Sequence, residues 1–216
     1  MTKYVYDFSE GGMDQKDLLG GKGANLAEMT NIGLPVPPGF IISTNACRAY
    51  LEQGAEPAGL ADEVTEHLRS LEEARGKTLG DPHDPLLVSV RSGAKFSMPG
   101  MMETILNVGL TDESVKGLAK VAGGDDRFAY DSYRRLLQMF GSTVLGIKSA
   151  VFTGALDELK ANRGTKDDLD LTAADLQGLV ETYKRLIREH SGDDFPQDPR
   201  TQLDMAVLAV FSSWNT

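Results

Sequence analysis

The chain has 216 residues, room for one large domain or two small ones with a buried core. Its 22 basic and 32 acidic residues leave a net charge of −10, which excludes a general nucleic-acid binder, since that needs a basic stripe to displace counterions. The single Cys47 excludes an internal disulfide, and no run approaches the ~20 apolar residues that span a bilayer. A cytoplasmic protein with no nucleic-acid or membrane partner is expected, and a local basic pocket for a small anion remains open.

Tyr4 to Phe8 reads as a short strand. Gly20-Gly21-Lys22-Gly23 then runs into a helix through Met29 that stops at Gly33. Pro35, Pro37 and Pro38 hold an extended segment before a strand from Gly39 to Ser43. Thr44 is placed to cap a helix to about Leu51. Leu60 to Arg75 carries Leu60, Val64, Leu68 and Leu71 on one face, with Gly76 after its end. Leu86 to Val90 is short and apolar and reads as a buried strand.

After Leu110 the pattern becomes helical. Thr111 caps a short helix ending before Gly123-Gly124. The next helix spaces Tyr133, Leu136, Leu137 and Phe140 on one stripe and stops at Gly141. Another covers about Ser149 to Asn162. Thr172 caps a long one striped by Leu176, Leu179, Val180, Tyr183 and Ile187. Leu203, Val207, Val210 and Trp214 stripe a last helix. The expectation is an α+β fold: residues 1–110 with 198–216 as one part, and 111–197 as a helical subdomain. The chain stops hard against its last amphipathic helix, which reads as an interruption.

Two stretches carry candidate chemistry. A helix start exposes unpaired N–H groups and partial positive charge, so Gly20 to Gly23 suits an anion, with Lys22 adding a full charge. The spacing is not that of the P-loop, and a bare glycine-rich helix start is the alternative. In "VSVRSGAKFSMPGMMETILN", Arg91 follows a strand directly, and its planar fork matches phosphate oxygens; the alternative is a structural ion pair. His67, His83 and His190 are scattered without metal-ligand spacing, so no metal site is expected. His83 sits in a turn, and Cys47 reads as a buried small hydrophobe. Asp125-Asp126, Asp167-Asp168 and Asp193-Asp194 read as solvated turn residues.

Taken together, "LLGGKGANLAEMTNIGLPVPPGF", "DPLLVSVRSGAKFSMPGMMETILN" and "RFAYDSYRRLLQMF" resemble the start of the pyruvate, phosphate dikinase family. The resemblance runs from Tyr4 to the final "AVFSSWN" and implies an ATP-grasp nucleotide-binding domain. It implies an enzyme that takes ATP, phosphate and pyruvate, with Mg²⁺, to AMP, diphosphate and phosphoenolpyruvate through a phosphohistidine on a separate domain. Lys22 and Arg91 fall on the family's phosphate-binding lysine and arginine, Arg91 being the catalytic one. Gly100, Met101, Met102, Glu103 and Thr104 fall on the loop that closes over the phosphates. The family's metal carboxylates, phosphocarrier histidine and pyruvate barrel have no counterpart here. The expectation is therefore a fragment of a homodimeric enzyme, inactive by itself. A stand-alone nucleotide- or phosphate-binding regulatory module is the alternative.

Overall fold

The computed structural model describes residues 2–93 and 104–215, and these divide into two compact units. The first gathers residues 2–76, 91–93 and 210–215; the second gathers 77–90 and 104–209.

In the first unit, β1 (Val5–Asp7) pairs antiparallel with β2 (Phe40–Ile42), Val5 opposite Ile42 and Asp7 opposite Phe40. Three helices accompany this pair: α1 (Lys16–Asn31), α2 (Thr44–Gln53) and α3 (Leu60–Arg75). Leu19, Ala24, Ala27 and Ile41 form a core against which Tyr6, Phe8 and Leu18 pack. The four leucine and valine positions expected on α3 are all buried. Glu63 ties this helix to β1, its carboxylate accepting from the N–H groups of Tyr4 and Val5 at 2.8 Å each. Gly33 lies at φ 78° just beyond α1, a left-handed position that suits glycine and stops the helix where expected.

The second unit holds β3 (Val88–Val90), paired antiparallel with β4 (Ile105–Val108). It also holds α4 (Ser114–Val121), α5 (Asp126–Thr143), α6 (Ser149–Arg163) and α7 (Ala173–Ser191). Most of α8 (Pro199–Ser212) belongs here too. α5 is the central element, packing on α4, α6, α7 and β4. Its stripe Tyr133, Leu136, Leu137 and Phe140 has no exposed surface, and the α7 stripe is buried as well. No strand falls between Thr111 and Gln197. Gln202 has no exposed surface, and backbone groups satisfy its amide. Gly109 N–H donates to Oε1 at 2.9 Å, and Nε2 donates to the carbonyls of Leu110 (2.9 Å) and Pro196 (2.8 Å).

Helices outweigh two small antiparallel sheets, and the α+β expectation stands. Three local expectations are corrected and one strand is added. The Leu86–Val90 strand shrinks to Val88–Val90 and is only half-buried, with one strand partner among the described residues. β4 is a strand that the sequence pattern does not announce; its four residues are too few for an alternating pattern, and Asn107 within it takes φ 61°. Thr44 does not cap α2: it is the first helical residue, and its hydroxyl donates to the Asp17 carbonyl at 2.5 Å. α5 continues past Gly141 to Thr143, so that glycine serves close packing against Phe152 rather than termination. Thr172 does cap α7, in a reciprocal pair with Asp175.

Candidate functional site

Gly20 interrupts α1 with φ 70° and ψ 169°, a combination essentially restricted to glycine. The break ends a first turn and starts a fresh helix at Gly21, whose leading N–H groups lack helical partners. One of these is engaged: Gly21 N–H donates to the Gly93 carbonyl at 3.1 Å. A Cβ on Gly20 would lie 2.1 Å from that same oxygen. The segment after Val90 therefore runs directly against the helix start, with Gly93 two residues beyond Arg91 and Gly21 one residue before Lys22.

Lys22 and Arg91 both belong to the first unit and are both exposed, and neither makes an ion pair with a described residue. Ser92, beside Arg91, is 4% exposed, and its Oγ has no hydrogen-bond partner among the described residues. Thr104 is half-buried just before β4. Gly100, Met101, Met102 and Glu103 lie outside the described residues.

Other polar groups have structural tasks. Asp125 accepts from Phe128 N–H at the start of α5, Asp167 accepts from Leu169 N–H, and Asp194 pairs with Arg188. Asp81 accepts from the N–H groups of His83 and Asp84, making the turn expected there. Cys47 is buried, which pushes its thiol up to about 11, and its Sγ lies 3.8 Å from the Phe211 carbonyl. A neutral thiol is a poor nucleophile, in keeping with its reading as a small hydrophobe.

Sequence spacing missed one cluster. Asp7, Glu10 and His67 bring potential ligand atoms within 4.8 Å of one another, because α3 packs on β1. Each is already engaged. His67 Nδ1 lies 2.7 Å from Asp7 Oδ1, Lys3 Nζ lies 2.5 Å from Glu10 Oε1, and Glu10 Oε2 accepts from Asp7 N–H at 2.8 Å. The lysine contact holds the Glu10 carboxyl below its ordinary value. Mg²⁺, which the resemblance implies, takes oxygen ligands in octahedral geometry, so this paired trio with an imidazole does not fit it. A shallow hollow of about 450 Å³ lies nearby, lined by Glu10, Asp14, Gln15, Glu28 and Asn31 among others. Its carboxylates would repel a phosphate chain.

The profile described as "Pyruvate phosphate dikinase, AMP/ATP-binding domain" matches residues 16–73 and 56–216. The chain is 57% identical over 219 residues to a chloroplastic pyruvate, phosphate dikinase of Flaveria pringlei, covering 99% of this chain and 23% of that protein. It is also 57% identical to pyruvate, phosphate dikinase 2 of Zea mays, over 96% of this chain and 23% of the relative. Likewise, pyruvate, phosphate dikinase 1 of Oryza sativa subsp. japonica, chloroplastic by name, is 57% identical over 99% of this chain. The chain thus spans about a quarter of the length of these relatives. With this profile matching most of its length, the chain belongs to the pyruvate phosphate dikinase AMP/ATP-binding domain family.

Proposed function

We propose that this chain is the ATP-binding part of a pyruvate, phosphate dikinase, holding the nucleotide's phosphates between Lys22 and Arg91. The observation that carries this reading is the Gly21 N–H to Gly93 carbonyl bond, which brings the two cation-bearing segments together within one unit. The absence of an ion pair at Arg91 among the described residues favours ligand binding over a structural pair. Residues 1–110 with 198–216 carry the nucleotide site in this reading, and 111–197 form the helical part. Arg91 supplies a two-pronged donor where negative charge builds on the phosphate during transfer, and Lys22 supplies a point charge. Gly100 to Thr104 close over the phosphates. The complete homodimeric enzyme works in the cytoplasm, taking ATP, phosphate and pyruvate, with Mg²⁺, to AMP, diphosphate and phosphoenolpyruvate through a phosphohistidine carried elsewhere.

Titration calorimetry of the 216-residue chain with ATP tests this. Lys22→Ala and Arg91→Ala should each weaken binding roughly tenfold to a hundredfold, the loss of one charge-assisted contact. Arg91→Lys should also weaken it, because an ammonium cannot reproduce the fork. Equal affinity of all variants would refute the reading. Phosphoenolpyruvate-coupled AMP production by the chain should not exceed that of the Lys22→Ala/Arg91→Ala variant.

A further inference from the structure

A helix start is usually satisfied by a nearby serine, threonine or aspartate side chain. Here the helix restarting at Gly21 is met instead by a backbone carbonyl remote in sequence, that of Gly93. Two features make this contact unusually intolerant of change. Gly20 takes φ 70° with ψ 169°, where an L side chain is strained. An added Cβ would also lie 2.1 Å from the Gly93 oxygen and 2.9 Å from its carbonyl carbon, and a backbone group cannot swing aside as a side-chain tip can. Gly93 has room by comparison: among the described residues a Cβ there would meet only the Leu19 carbonyl at 3.6 Å. The constraint is therefore a backbone-to-backbone approach that Gly20 alone permits.

We propose that Gly20 and Gly93 are positioning residues, their direct backbone contact setting the spacing between Lys22 and Arg91. Lys22 follows one side of the contact by a single residue and Arg91 precedes the other by two. Neither cation is held by an ion pair to a described residue, so the separation of their backbones is governed by this junction. A rigid separation preorganises two cations for adjacent phosphate oxygens and reduces the ordering cost of binding.

The first test needs no ligand. Spin labels placed through Lys22→Cys and Arg91→Cys, in a Cys47→Ala background, report the distance distribution by pulsed electron resonance. The parent should give a narrow distribution, and Gly20→Ala a longer, broader one. Gly54→Ala is the control: it also puts alanine at a positive φ, 66°, but its Cβ meets nothing within 4 Å, so the distribution should stay narrow. An unchanged distribution in folded Gly20→Ala, or equal broadening in Gly54→Ala, overturns the proposal.

The second test rests on the ATP reading above and is a double-mutant cycle in ATP affinity. Gly20→Ala should weaken binding about tenfold, and adding Arg91→Ala should then cost less than about twofold, against roughly tenfold in the parent. Additive losses would mean that Gly20→Ala acts through general stability, and would overturn the positioning role. If the parent does not bind ATP while the labels still spread in Gly20→Ala, the junction stands and the nucleotide reading falls. Should Gly20→Ala fail to fold, Gly21→Pro removes the same donor at a first helical position, which tolerates proline, and the same readouts apply.

Discussion

Asp175 is a carboxylate only 5% exposed that nevertheless stays charged. Thr172 holds it, the hydroxyl donating to Oδ2 at 2.7 Å and the backbone N–H at 3.0 Å, while Arg163 donates to Oδ1. These donors, Thr172 first, hold its pKa below the ordinary 3.8. Because the folded value lies below the unfolded one, the stability this group contributes is present above about pH 4 and is lost as pH falls through the folded value. Asp175→Asn should cost about 1–3 kcal/mol at pH 7, and the difference from wild type should shrink at pH 3. Urea unfolding at both pH values measures it; a pH-independent difference would remove the charge from the explanation. Residue roles of this local kind were legible in sequence, since a Thr-x-x-Asp spacing announces its own cap. Lys22 and Arg91 stood out because glycines mark their segments. The Gly20 conformation and the meeting of His67 with Asp7 and Glu10 were not legible, because both depend on partners many residues away.

The helices were the most legible elements, their apolar stripes stating both their extent and their buried faces. Strand pairs of three or four residues were not, being too short to display an alternation. Glycine punctuation misled once, at Gly141. There the absent side chain makes room for Phe152, whose Cζ would lie 2.3 Å from a Cβ. Phe152 cannot easily yield. It has no exposed surface, packs edge-on against Tyr183 at 5.0 Å, and has its carbonyl taken by the Tyr183 hydroxyl at 2.9 Å. Gly141→Ala should gain up to about 1 kcal/mol of helix propensity and lose about 1–3 kcal/mol to overpacking, a net destabilisation. Gly178→Ala on the exposed face of α7, where a Cβ meets nothing within 4 Å, should instead stabilise by about 0.5–1 kcal/mol. Thermal denaturation of the pair checks the opposite signs; two changes of the same sign would contradict the packing argument.

Across the whole molecule, the two units differ in how the chain supplies them. The second is drawn from residues 77–90 and 104–209, whereas the first needs three separated stretches, the last beginning at Val210. That last stretch delivers Phe211, whose ring lies 5.5 Å from Tyr50 and whose carbonyl lies 3.8 Å from Cys47 Sγ. A ribosome therefore releases almost every residue of this sequence before the first unit can seal around Cys47. Until then the thiol waits, while residues that emerged later are already free to fold, and the long loop carries an entropic cost of closure. A chain ending at Ala209 should mimic that waiting state. With part of its burial removed, the Cys47 thiol should fall from about 11 toward its ordinary 9.0, and its thiolate population at pH 8 should rise. Its rate with a thiol reagent should climb accordingly, and a rate equal to that of the full sequence would show that Cys47 is shielded before the last residues arrive.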